Sequence, residues 1–166
     1  VQGAAGVFPP VDGYWEGVQD LLKAHGVLLI ADEVITGFGR TGKWFGSERY
    51  DLDADLIVTA KGLSSGYTPI GAVIASERVR EVLWSEESGP FRHGYTYSGH
   101  PAACAGALKN LEIIEREGLV ERVAALEPVF AAKVRELAGH PLVEEVRTAG
   151  LLAGVEISGD ARAARP

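Results

Sequence analysis

Lys61 closes an apolar run, Asp55-Leu56-Ile57-Val58-Thr59-Ala60, and is followed by Gly62-Leu63-Ser64-Ser65-Gly66. A lysine ending a buried strand carries a desolvated ammonium, which is costly unless the amine is paired or reacted. Earlier in the chain a second apolar run, Val27-Leu28-Leu29-Ile30-Ala31, ends in Asp32-Glu33-Val34. Parallel α/β sheets place their chemistry at the carboxyl ends of strands. Two strands ending in an aimed acid and a desolvated amine suit pyridoxal phosphate. There the lysine forms a Schiff base and the acid keeps the pyridine nitrogen protonated.

The elements needed to position this pair are legible. Gly3 to Gly13 is rich in Gly, Ala and Pro and predicts a loop. Asp12 is placed to cap a helix over 13–24, whose apolar face is Trp15, Val18, Leu21 and Leu22. Gly26 ends that helix, and buried strands are expected over 27–31, 56–59 and 71–75. Three glycines within 36–42 exclude regular structure there. A long helical stretch from Pro101 to about Ala138 breaks near Gly118 and bends at Pro128. Pro101 fits a first turn, where its missing N–H costs nothing. Strands are expected over 142–146 and 151–157. The helix-to-strand change predicts a domain boundary, dividing the chain into 1–125 and 126–166. Helix, strand, loop and strand in this order are the grammar of an α/β fold.

Composition narrows the function. The 166 residues are 46 % hydrophobic with a formal net charge of −7 and no basic stretch. Nucleic acid and anionic membranes are therefore not expected partners, and no apolar run is long enough to span a bilayer. One cysteine, Cys104, fits a reducing compartment, and the cytoplasm is expected. The chain has no methionine and opens on Val1-Gln2-Gly3, so it reads as an internal piece of a longer polypeptide.

Other motifs compete. Asp32-Glu33 alone could be an acidic pair facing water. With Gly37 and Gly42-Lys43 it matches parts of a nucleotide-triphosphatase pattern, but Trp44 lacks the hydroxyl that would bind magnesium. His93 and His100 lack the further ligands of a metal site, and no metal is expected. The segment 92–101 precedes a helix. It is either a capped loop with Ser98 or His100 near the N-cap, or an anion site using free backbone N–H groups. Cys104 lies among small residues on a helix and is expected to be a packed thiol.

Four segments together resemble class III aminotransferases, which are fold-type I pyridoxal phosphate enzymes. They are 31–42 (ADEVITGFGRTG), Thr59-Ala60-Lys61-Gly62-Leu63 with Pro69-Ile70-Gly71-Ala72, 93–101 (HGYTYSGHP), and 146–156 (VRTAGLLAGVE). The resemblance implies the fold: a partial three-layer, mostly parallel sheet of the large domain, plus the start of a small α+β C-terminal domain. It also implies the roles. Lys61 would form the Schiff base to pyridoxal 5'-phosphate and serve as general base. Asp32 would bind the pyridine nitrogen, and Val34 would pack on the ring. Thr96, with the backbone of Tyr95, would bind the phosphate of the neighbouring subunit, which implies a homodimer. Ala4 and Ile35 would be substrate-side wall residues. The 95–101 segment most resembles omega-transaminases, which act on amines or omega-amino acids with an oxo acid such as pyruvate. Other branches of the class, an aminomutase, or a non-catalytic folded fragment are the rivals. The family's phosphate loop, stacking aromatic and carboxylate-binding arginine are expected outside the chain, leaving it inactive alone.

Overall fold

The computed structural model describes residues 1–159. In chain order they form α1 (Tyr14–His25), β1 (Ile30–Asp32), α2 (Gly46–Arg49), β2 (Leu56–Thr59), β3 (Ala72–Ala75) and α3 (Glu77–Leu83). These are followed by α4 (Pro101–Arg116), α5 (Leu119–Arg135), β4 (Val143–Ala149) and β5 (Leu152–Ile157). β2 is the centre of a three-stranded sheet. β1 pairs with it in parallel, Asp32 opposite Val58, and β3 pairs antiparallel, Thr59 opposite Ala72. The β4–β5 pair forms a separate antiparallel hairpin.

The expectations were met unevenly. Strand 56–59 and the break at Gly118, which sits left-handed at φ 57°, are where the sequence put them. His100 is the N-cap of α4: its Nδ1 accepts from Ala103 N at 3.3 Å, and Pro101 occupies the first turn. Asp12 does not cap α1. Gly13 does so, at φ 76°, with no side-chain cap. The expected buried strand 27–31 is only the three-residue β1, and Val27, Leu28 and Ile30 are exposed. As the first strand of the sheet, β1 has a neighbour on one side only, so its apolar residues stay uncovered within the described chain. α5 runs unbroken through residues 125 and 126 and packs against both α4 and β4.

A polar knot ties α2, α5 and the hairpin together. Arg49 donates to Thr41 O at 2.9 Å and bidentately to Glu127 at 2.8 and 2.9 Å; Glu127 Oε1 also accepts Gly150 N at 2.8 Å. Gly150 has φ 60°, and a Cβ there would lie 2.4 Å from Arg40 O, so only glycine fits. Arg147 of β4 donates to Gly6 O at 3.1 Å, and its guanidinium lies 4.0 Å from the Phe8 ring centroid, pinning the first loop to the hairpin.

The hydrogen bonds from Arg49, and less so that from Gly150, hold the Glu127 carboxyl below the ordinary carboxylate range. A lowered folded-state pKa adds stability that is complete above the ordinary value and is lost as pH falls through the folded one. The parent should therefore lose stability progressively as pH falls from the ordinary carboxylate range through the lowered Glu127 value. In Glu127→Gln that part of the acid dependence should vanish, with about 1–3 kcal/mol lost at neutral pH. Denaturant melts of the two proteins from neutral to acid pH check both statements.

Candidate functional site

Asp32 and Lys61 leave neighbouring parallel strands at the same, carboxyl, end. Asp32 is the last residue of β1, and Lys61 opens a short 3₁₀ turn, Lys61–Leu63, one residue after β2. The amine is not buried, contrary to the sequence expectation. Lys61 is exposed, because the chain turns out of the sheet at Ala60. Its backbone sits at φ 39°, a left-handed conformation that costs a non-glycine residue about 1–3 kcal/mol and recurs at active sites. Asp32 is also exposed. Its Oδ1 accepts Val34 N at 3.0 Å, and Oδ2 has no protein partner among the described residues.

Strand alternation explains the pair Asp32-Glu33. Ile30 and Asp32 face outward, whereas Ala31 is buried and Glu33 follows it on the same side. Glu33 is therefore no water-facing acid: it is 3 % exposed and fully hydrogen-bonded by the loop that follows it. That loop reaches Lys61 from below. Phe38 packs edge-on against Phe45, and a Cβ on Gly62 would lie 3.1 Å from the Phe38 ring.

Asn110 of α4 grips the lysine turn from the other side. Its Nδ2 donates to Gly62 O at 2.9 Å and Leu63 O at 3.1 Å, and Ser65 Oγ donates to its Oδ1 at 2.7 Å. Sequence reading missed both Glu33 and Asn110, although each left a trace. Glu33 has the parity of the buried strand positions, and Asn110 lies on the helical stripe of Ala103, Ala107 and Ile114. Asn110→Ala should cost about 1–3 kcal/mol by orphaning two carbonyls and a hydroxyl. Hydrogen exchange should show faster opening at residues 62–65 than elsewhere.

The other expected site residues divide into two groups. Val34, Ile35 and Lys61 line one cleft of about 470 Å³ with Leu119, Val123 and Leu152. Ala4 is exposed in the first loop, whose Gly3 is pressed against Ile35; a Cβ there would lie 2.9 Å from Ile35 Cγ2. Asp32 opens instead into a larger cleft of about 540 Å³, lined by Phe8, Trp15 and Tyr50 among others. Tyr95 and Thr96 join neither. Their segment is exposed throughout, and Tyr95 N and O bond only to Ser98, at 2.9 Å each.

The donor set fits pyridoxal phosphate. Among the described residues, a primary amine without an ion-pair partner and a carboxylate with an uncommitted oxygen stand at the carboxyl end of two neighbouring strands, and Val34 lines the lysine's cleft. No helix among the described residues is long and apolar enough to cross a membrane.

Comparison with known proteins gives the family. The profile of the family described as Aminotransferase class-III matches residues 1–165. The putrescine–pyruvate aminotransferase of Pseudomonas aeruginosa is 48 % identical over 158 residues, 95 % of this chain and 34 % of that protein. The diaminobutyrate–2-oxoglutarate transaminase of Halomonas elongata is 48 % identical over 168 residues, 99 % of this chain and 36 % of that protein. The chain thus spans about a third of the length of these curated relatives. Among solved structures, an (S)-enantioselective omega-transaminase from Thermomicrobium roseum superposes with a TM-score of 0.90 at 47 % identity, covering 98 % of this chain and 36 % of that one. The expected fold class, α/β and part of a fold-type I large domain, stands on this superposition. With the strand-end acid, the strand-end lysine and a family profile running nearly its full length, the chain belongs to the class III aminotransferases.

Proposed function

We propose that the protein containing this chain transfers an amino group from an amine or omega-amino acid to an oxo acid such as pyruvate, with pyridoxal 5'-phosphate as cofactor. The observation that carries this reading is that Lys61, with its backbone at φ 39°, and Asp32 leave two neighbouring parallel strands at the same end. The similarity to a putrescine–pyruvate aminotransferase and an omega-transaminase supports the substrate class. The similarity to a diaminobutyrate–2-oxoglutarate transaminase favours a second reading within the class, with 2-oxoglutarate as acceptor. Rates with the two oxo acids, measured against one panel of amines, separate them.

The bound cofactor supplies an aldehyde that condenses with primary amines and a ring that withdraws electrons from the adjacent carbon. The chain's own residues do the rest. Lys61 would provide the amine that holds the cofactor and a base whose Nζ would move a proton. Asp32 would hold the ring nitrogen through its free Oδ2 and favour its protonated form, while its Oδ1 stays fixed by Val34 N. Val34 would flank the ring, and Ala4 and Ile35 would wall the substrate side, a placement supported by the contact of Gly3 with Ile35. Tyr95 and Thr96 bind the phosphate of a second copy. Their exposure, and bonding confined to their own turn, support a homodimer with shared sites. Residues 126–166 begin the small domain, and the single free thiol supports a cytoplasmic setting. Borohydride reduction of the cofactor-loaded protein, followed by peptide mass mapping, should tag Lys61. Labelling at Lys23, Lys43, Lys109 or Lys133 instead would overturn the reading.

A further inference from the structure

Among the described residues, Glu33 is the one acid whose two oxygens are both saturated by a single loop. Oε2 accepts Gly46 N at 2.8 Å and the Thr36 hydroxyl, and Oε1 accepts Ser47 N at 2.5 Å. Its backbone is equally committed: Glu33 N donates to Val58 O of β2 at 2.9 Å, and Glu33 O accepts Gly37 N at 2.9 Å. The side chain thus closes residues 33–47 into a ring whose ends meet at the strand tip. Two consequences reach the site. The turn that Glu33 closes carries Val34, whose N–H fixes the Asp32 carboxylate. The same ring carries Phe38, held by Phe38 N donating to Trp44 O at 2.6 Å, and Phe38 is the surface on which Gly62 rests, next to Lys61.

We propose that Glu33 is a positioning residue that holds Asp32 and Lys61 in one frame, acting on the acid through Val34 N–H and on the lysine through Phe38 and Gly62; this rests on the function proposed above. Burying a carboxylate is costly, and among the described residues no cation is bonded to this one; three uncharged donors compensate it. The acid specifies the loop because each oxygen takes a backbone N–H. In Glu33→Gln the amide NH₂ must face either Gly46 N–H or Ser47 N–H, whichever way it is turned. One donor is lost and one repulsion is gained, and the ring opens by a fraction of an ångström beneath both functional groups.

The test uses the cofactor-loaded full-length protein, Glu33→Gln, and the gentler Thr36→Val, which removes one neutral donor from the same carboxylate. A structural role alone would lower the melting temperature and the folded fraction but leave each folded, loaded molecule unchanged. Positioning predicts that kcat per bound cofactor falls by about 100-fold in Glu33→Gln while KM for the amine is held. The visible band of the bound cofactor should shift and its circular dichroism weaken. Thr36→Val should move all three readouts in the same sense by less, and it decides alone if Glu33→Gln does not fold. Parental kcat, band and dichroism in the variants, with only thermal stability reduced, would overturn the proposal. If the parent tags Lys61 on borohydride reduction and the variants are unchanged, this inference alone fails. If the parent does not tag Lys61, the functional reading fails first.

Discussion

Lys61→Ala is expected to abolish amine transfer and the visible absorbance of the loaded protein while leaving its stability within about 0.5 kcal/mol of the parent. The two outcomes separate because Lys61 is exposed. Its φ of 39° is equally unfavourable for alanine, so the substitution neither relieves nor adds backbone strain. Removing a general base costs about 10²- to 10⁴-fold, and losing the covalent link to the cofactor comes on top. Turnover and thermal melting of the same preparation check the prediction. Residual transfer within tenfold of the parent would show that another amine does the work.

Asp32→Asn isolates charge from geometry. The asparagine Oδ1 can still accept Val34 N, the bond made by the aspartate at 3.0 Å, so the turn at the end of β1 should survive. What disappears is the negative charge that favours a protonated pyridine nitrogen. The ring then withdraws electrons less well, and kcat should fall by roughly 10²- to 10³-fold, the size expected when one preorganised electrostatic partner is removed. Cofactor should still bind and still tag Lys61 with borohydride. The contrast with Lys61→Ala is diagnostic, since one variant keeps the covalent link and loses the chemistry, whereas the other loses both. Near-parental kcat in Asp32→Asn would reduce the residue to a solvated strand-end acid.

The sequence by itself determined the chemistry-bearing types and their local frames. An apolar run ending in Asp and another ending in Lys marked two strand ends, because apolar runs bounded by turn residues define strands locally. His100-Pro101 started α4 and Gly118 ended it, since caps and left-handed glycines act within a few residues. Tertiary structure alone decided what surrounds those groups. It exposed Lys61, which sequence had buried, because the direction in which the chain leaves a strand is set by Phe38 under Gly62 and Asn110 over it. It buried Glu33, which sequence had left as a partner of Asp32, because donors 13 and 14 residues away close on it. It also shortened the first strand, with only one neighbour to pair. Such bonds span separations that no local periodicity encodes, as in the 141-residue reach from Arg147 to Gly6. The physical division is one of range. Propensity, capping and alternation name the residues that can act, and only the closing of long-range hydrogen bonds and contacts decides how they are held.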